Sequence, residues 1–192
     1  AAHAPFADHA ATDAAMKYGF GWELGPFETM AALRGETAPR TTLIGRSRVV
    51  KHTDGASLVD LGNGVLCVEF HSKMNTIGGD AIAMLHDGVT EAAANFAALV
   101  VGNDAANFCA GANLMLVLLS AQEGEWDDID HMVRAFQGAT MALKLSPVPV
   151  VVAPAGLTLG GGCEIALHAD RVETHAETYM GLVEVGVGVL PA

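Results

Sequence analysis

Positive charge is scarce in this chain: ten Lys and Arg stand against 22 Asp and Glu, a net charge of −12. So acidic a balance argues against a nucleic-acid surface. The few cations are unevenly placed. Residues 1–56 hold Lys17, Arg34, Arg40, Arg46, Arg48 and Lys51 against six acidic residues, and only Lys73, Arg134, Lys144 and Arg171 lie beyond, among sixteen. Cysteine is rare as well. Cys67, Cys109 and Cys163 form no CxxC pair, which suits a reducing, cytoplasmic setting. The eight histidines show neither HExxH nor HxH spacing, so no metal site is expected. No apolar run approaches the ~18 residues of a membrane span, and no basic-then-apolar leader marks secretion. No GxGxxG nicotinamide-binding unit is present either.

What the chain has in quantity is apolar surface. It is 51% hydrophobic and 17% charged, with a mean hydropathy of +0.34. In 192 residues that supports a substantial core, and the surplus points to burial or subunit contact. The chain starts at Ala1 and stops at Leu190-Pro191-Ala192 with no closing element, so it reads as a piece of something longer.

Taken in order, residues 12–18 and 29–33 read as short helices around an aromatic, glycine-punctuated loop. Residues 35–56 are polar and read as a linker with one short strand at 48–51, rather than a phosphate-binding patch. From Ser57 the pattern sharpens. Two β-rich runs flank Gly62-Asn63-Gly64, the signature of a type I′ hairpin. Ile82, Leu85, Val89, Ala92 and Phe96 give an amphipathic helix over 80–99, with a short buried strand at 98–101. A second helix is expected over 127–144, ended by Pro147 and Pro149. The apolar run 148–152 reads as a buried strand. This alternation makes an α/β domain.

Two stretches carry the chemistry. In Asn107-Phe108-Cys109-Ala110-Gly111-Ala112-Asn113-Leu114, small residues let backbone approach a ligand, and Asn113 is placed to cap a helix from Leu114. The bland alternative is an ordinary strand-to-helix turn. In Gly160-Gly161-Gly162-Cys163-Glu164, glycines between a strand and a helix leave unpaired N–H groups where the dipole favours negative charge. Oriented donors beside a carboxylate can stabilise an oxyanion and move a proton. Here the alternative is a glycine turn with a glutamate favouring the dipole. Cys163 reads as a small packing residue rather than a nucleophile.

Phe108 to Leu114, then Pro149-Val150-Val151-Val152-Ala153, Gly160 to Glu164 and Gly181-Leu182-Val183-Glu184 closely resemble, in order and spacing, the enoyl-CoA hydratase/isomerase (crotonase) family. The resemblance implies an α/β spiral of ββα repeats over 57–192, incomplete at its C-terminus and preceded by a short helical segment. Upstream, Asp13-Ala14-Ala15-Met16 through Gly25-Pro26-Phe27-Glu28 resembles the end of the C-terminal helical domain of 3-hydroxyacyl-CoA dehydrogenases. The implied organisation is a dehydrogenase tail over 1–36, a linker over 37–56 and a hydratase/isomerase domain over 57–192.

By position, the resemblance implies that Ala112 and Gly161 supply the two N–H donors of an oxyanion hole. Glu164 and Glu184, 20 residues apart, match the catalytic pair, and Ala110, Gly111, Gly160 and Gly162 line the substrate. Asn113 stands where aspartate is frequent, Val183 where proline is common, and Tyr179 where phenylalanine is common. The first is tolerable at a cap, and neither of the other two removes a functional group. The implied activity is hydration of 2-enoyl-CoA within a multifunctional fatty-acid β-oxidation enzyme. A Δ3–Δ2 enoyl-CoA isomerase, a non-catalytic acyl-CoA-binding or assembly module, and a fragment inert as isolated are the alternatives. CoA enters as the substrate's carrier, and no cofactor is expected in this chain. NAD would serve only a dehydrogenase part of a longer parent. The expected partners are acyl-CoA and either a second copy or the rest of that parent, met through a patch including Leu182, Val183, Val185, Val187 and Leu190.

Overall fold

The computed structural model describes residues 9–20, 24–33 and 48–192. The aromatic loop around Trp22 and the basic stretch 34–47 lie outside the described residues. Two units are distinguished, Ala1–Arg40 and Thr41–Ala192.

In the first unit both expected helices form and run longer than their apolar spacing predicts: α1 is His9–Phe20 and α2 is Pro26–Leu33. Proline suits a first helical position because its missing N–H would have no intrahelical partner there. The next N–H, that of Phe27, donates to the Asp13 carboxylate of α1 at 2.8 Å. A carboxylate at that end satisfies an orphan donor and the helix dipole together. The His9 and Phe27 rings stack at 3.7 Å.

The second unit is mixed α/β. Its strands are β1 (Arg48–His52), β2 (Ala56–Gly62), β3 (Val65–Phe70), β4 (Ala98–Gly102), β5 (Val150–Ala153), β6 (Gly156–Leu159), β7 (Arg171–Val172) and β8 (Thr178–Gly181). A six-stranded sheet runs β1-β2-β3-β4-β5-β7, and β6 pairs with β8 in a second sheet. The first three strands are antiparallel neighbours and the rest pair in parallel. Asn63 and Gly64 both take positive φ, as a type I′ turn requires. The sheet therefore begins inside the stretch expected to be a linker: β1 is its edge strand, tied by Ser57 Oγ, which lies 2.9 Å from His52 Nδ1 and 2.8 Å from His71 Nε2.

Parallel strands need long crossovers, and helices supply them: α3 (Gly79–Asn95) joins β3 to β4, and α4 (Leu114–Glu123) with α5 (Trp126–Lys144) joins β4 to β5. Leu85, Met84 and Ala92 of α3 pack with Phe136, Ala139 and Leu143 of α5 and with the sheet's Leu58, Leu66, Val68, Leu99, Val101 and Val150 in one core. The helix expected over 80–99 ends at Asn95. Phe96 turns to extended backbone, and Ala97 N–H donates to the Gly64 carbonyl at 2.8 Å. Apolar spacing carries no information about where the hairpin captures the chain.

The sequence marks no element in the stretch just before the glycines. Residues 156–159 form β6, which pairs with β8 before α6 (Gly161–Leu167) begins. Among the described residues, no helix is long and apolar enough to cross a membrane. Cys67, Cys109 and Cys163 are buried, free thiols. Leu182, Val183, Val185, Val187 and Leu190 are all exposed, as are five apolar residues of α4.

Candidate active site

Three segments meet around β6. The loop after β4 is stitched along its edge: Cys109 N–H donates to the Leu157 carbonyl (3.0 Å) and Leu159 N–H to the Cys109 carbonyl (2.9 Å). On its far side β6 pairs with β8, and the ladder continues one residue further, from Gly160 N–H to the Gly181 carbonyl (2.9 Å). That pairing delivers Glu184, three residues past β8, to the glycine turn that carries Glu164. A Cβ added to Gly160 would lie 2.9 Å from Glu184 Oε1 and 3.8 Å from the Gly111 Cα. Gly160 also has φ +53 and ψ −124, a conformation L side chains avoid. Only glycine lets all three segments close here.

The peptide planes aim two donors. A trans peptide points its C=O and N–H in opposite directions. The Gly111 carbonyl accepts Ile77 N–H at 2.9 Å, so the Ala112 N–H is turned away from Ile77. The Gly160 carbonyl accepts Glu164 N–H at 3.0 Å, so the Gly161 N–H points back out of α6. Among the described residues, neither Ala112 N–H nor Gly161 N–H has an acceptor. The other small residues of the expected substrate path have internal duties. Ala110 N–H donates to the Met74 carbonyl (3.2 Å), Gly111 N–H to Cys109 Sγ (3.3 Å), and Gly160 N–H to Gly181 as described. Gly162 packs on Cys109. Asn113 precedes α4 but makes no side-chain cap bond.

The carboxylates form an electrostatic pair. Glu164 is buried, and burial followed by the negative charge of Glu184 raises its proton affinity; the Ala192 backbone and His168 act the other way. Glu184 Oε2 is buried with no hydrogen-bond partner among the described residues. Such an oxygen is costly to bury unless a proton or ligand meets it. Cys163 is buried beside both carboxylates, and burial and then their charges push its thiol up. It is no thiolate nucleophile. Among the described residues, no group of three or more His, Cys, Asp or Glu could hold a metal ion.

A stability prediction follows from the raised affinity of Glu164. The folded protein holds this proton more tightly than the unfolded chain, so ionisation opposes folding, and stability falls as pH rises through the ordinary glutamate range towards the raised one. Glu164→Gln removes that opposition. The variant is expected to melt above the wild type at neutral pH, with the gap narrowing as pH drops below the ordinary range. Thermal unfolding at several pH values checks it, and a variant less stable at pH 7 would count against this placement.

Sequence reasoning missed one part of the site. The turn Lys73–Asn75 holds the first loop from below, through the Met74 carbonyl and through Asn75 Nδ2, which donates to the Asn107 carbonyl at 2.9 Å. Met74 and Asn75 both have positive φ. Asparagine tolerates that region and was the available signal.

The chain is similar to several known proteins. A Bacillus subtilis (strain 168) protein named as a 3-hydroxyacyl-CoA dehydrogenase is 39% identical over 94% of this chain, and the match takes in 30% of that protein. A Rickettsia felis protein named as a fatty acid oxidation complex trifunctional enzyme is 29% identical over 93% of the chain and 29% of its own length. The chain thus spans about 30% of the length of these relatives. A crystal structure of an enoyl-CoA hydratase from Bacillus anthracis shares the fold, with a TM-score of 0.64 and 23% identity over 72% of this chain and 54% of that one. The fold is crotonase-like. Residues 64–192 match the family described as enoyl-CoA hydratase/isomerase, and because that match takes in more than half of the chain, the chain belongs to the enoyl-CoA hydratase/isomerase family.

Proposed function

We propose that this chain adds water across the double bond of 2-enoyl-CoA thioesters, giving 3-hydroxyacyl-CoA, as the hydratase segment of a multifunctional β-oxidation enzyme. The observation that carries the reading is the Glu164–Glu184 pair, held over the glycine turn whose Gly161 N–H has no acceptor among the described residues.

The thioester carbonyl accepts the N–H groups of Ala112 and Gly161. As water adds at C3, the π electrons shift to C2 and the carbonyl oxygen gathers enolate charge. Each donor aimed at that oxygen contributes about 3–4 kcal/mol to the transition state. Glu164 orients the water and takes its proton, and Glu184 delivers a proton to C2. The charge of Glu184 raises the proton affinity of Glu164, and two carboxylates in unlike surroundings can serve as base and acid. CoA acts only as the carrier, and NAD would serve a dehydrogenase segment of a longer protein. Placing hydratase and dehydrogenase in one chain would hand the 3-hydroxyacyl product directly to its oxidation.

The test is turnover of crotonyl-CoA. Loss of the enoyl absorbance, with 3-hydroxybutyryl-CoA as the product by chromatography, is expected. A chain that binds crotonyl-CoA and returns it unchanged would sink the hydratase reading. Conversion of a 3-enoyl-CoA without hydration would favour an isomerase instead.

A further inference from the structure

Cys109 has no role in the chemistry just described, yet it contacts Gly111, β6 and the first turn of α6. It is fully buried. Its main chain stitches the first loop to β6, as above, while its side chain reaches two further places. Sγ accepts the Gly111 N–H at 3.3 Å. The same side chain lies under the first turn of α6, where a Cβ on Gly162 would stand 2.6 Å from Cys109 Cβ and 3.0 Å from Sγ. Gly111 takes φ +94, and a glycine has many other conformations open to it. One of its flanking peptides is held by Ile77 N–H through the Gly111 carbonyl, and the other has its N–H on the sulfur. Burial pushes the thiol up to about 11. It therefore stays neutral, a compact side chain with a weak acceptor.

We propose that Cys109 is a positioning residue, whose sulfur fixes the Gly111 peptide and so sets the direction of the Ala112 N–H relative to Gly161. The role rests on the oxyanion reading of those two groups.

Three substitutions separate acceptor from volume: Cys109→Ser keeps an acceptor, Cys109→Ala removes it, and Cys109→Val fills space without one. In crotonyl-CoA hydration by the 192-residue chain, the Ala and Val variants should lose about tenfold in kcat with KM little changed. Ser should restore at least about half of the wild-type kcat. A second readout needs no turnover. Acetoacetyl-CoA bound at the two donors should gain near-ultraviolet enolate absorbance in the wild type and Ser variant, and less of it in Ala and Val. Thermal unfolding identifies a variant that fails only because it is unfolded. Folded Ala and Val variants matching the wild type in both readouts, or a folded Ser variant falling as far as Ala, would overturn the role. A wild-type chain that neither hydrates crotonyl-CoA nor raises enolate absorbance would instead overturn the oxyanion reading beneath it.

Discussion

Replacing Glu164 with glutamine is expected to lower crotonyl-CoA hydration by at least about 10²-fold while substrate binding holds. Glutamine keeps the shape and the buried position of the side chain but cannot take a proton from water. The site is otherwise intact, since the Glu164 main-chain N–H that fixes the Gly160 carbonyl is unchanged. Ground-state contacts therefore survive, and the loss falls on kcat. Glu184→Gln should weaken activity too, with a different signature. It removes a negative charge that raises the proton affinity of Glu164, so the acid limb of residual activity should move to lower pH. Near-normal turnover by the Glu164→Gln protein, followed by loss of enoyl absorbance, would remove Glu164 from the mechanism.

The second large effect is on stability, at a glycine that contributes no chemistry. Gly156 opens β6 with φ +60, and a Cβ there would lie 2.0 Å from the Ala106 carbonyl oxygen and 3.0 Å from Asn107 Oδ1. Backbone cannot yield to that contact as a flexible side chain would. Around it run three hydrogen bonds: Phe108 N–H to the Ala155 carbonyl (2.7 Å), Gly156 N–H to Glu177 (3.1 Å) and Leu157 N–H to Asn107 Oδ1 (2.9 Å). Gly156→Ala must push the first loop off β6 and strain the backbone as well. A cost of about 3–4 kcal/mol is expected, which lowers Tm by roughly 10 °C in a chain of this size. Activity should fall with it, because the same edge carries both donor loops. A Tm within about 2 °C of the wild type would show that the loop relaxes around a methyl group.

These two positions differ in how plainly the sequence announces them. Glu164 stands just beyond three consecutive glycines and Cys163, and that cluster is legible because few other residues permit close backbone approach beside a carboxylate. Gly156 lies in a stretch the sequence leaves unmarked, since four residues with one glycine carry too little alternation to mark a strand. Their partner, Thr178–Gly181, is equally short. Strands that exist only by pairing with each other leave almost no local trace.

By itself the sequence determined the helices, the Asn63–Gly64 hairpin, the apolar strand at Val150 and the four segments whose order matches one family. Local periodicity and glycine placement suffice for these, since each depends on residues within a few positions of one another. Tertiary structure alone decided where α3 ends, that β1 belongs to the sheet, and that β6 and β8 pair. It also decided that Glu184 arrives over Gly160, that its charge bears on Glu164, and which N–H groups remain without acceptors. Most of those outcomes depend on hydrogen bonds between residues far apart in the chain, such as Ala97 to Gly64, Ile77 to Gly111 and Gly160 to Gly181, and no local pattern encodes which distant carbonyl will take a given donor.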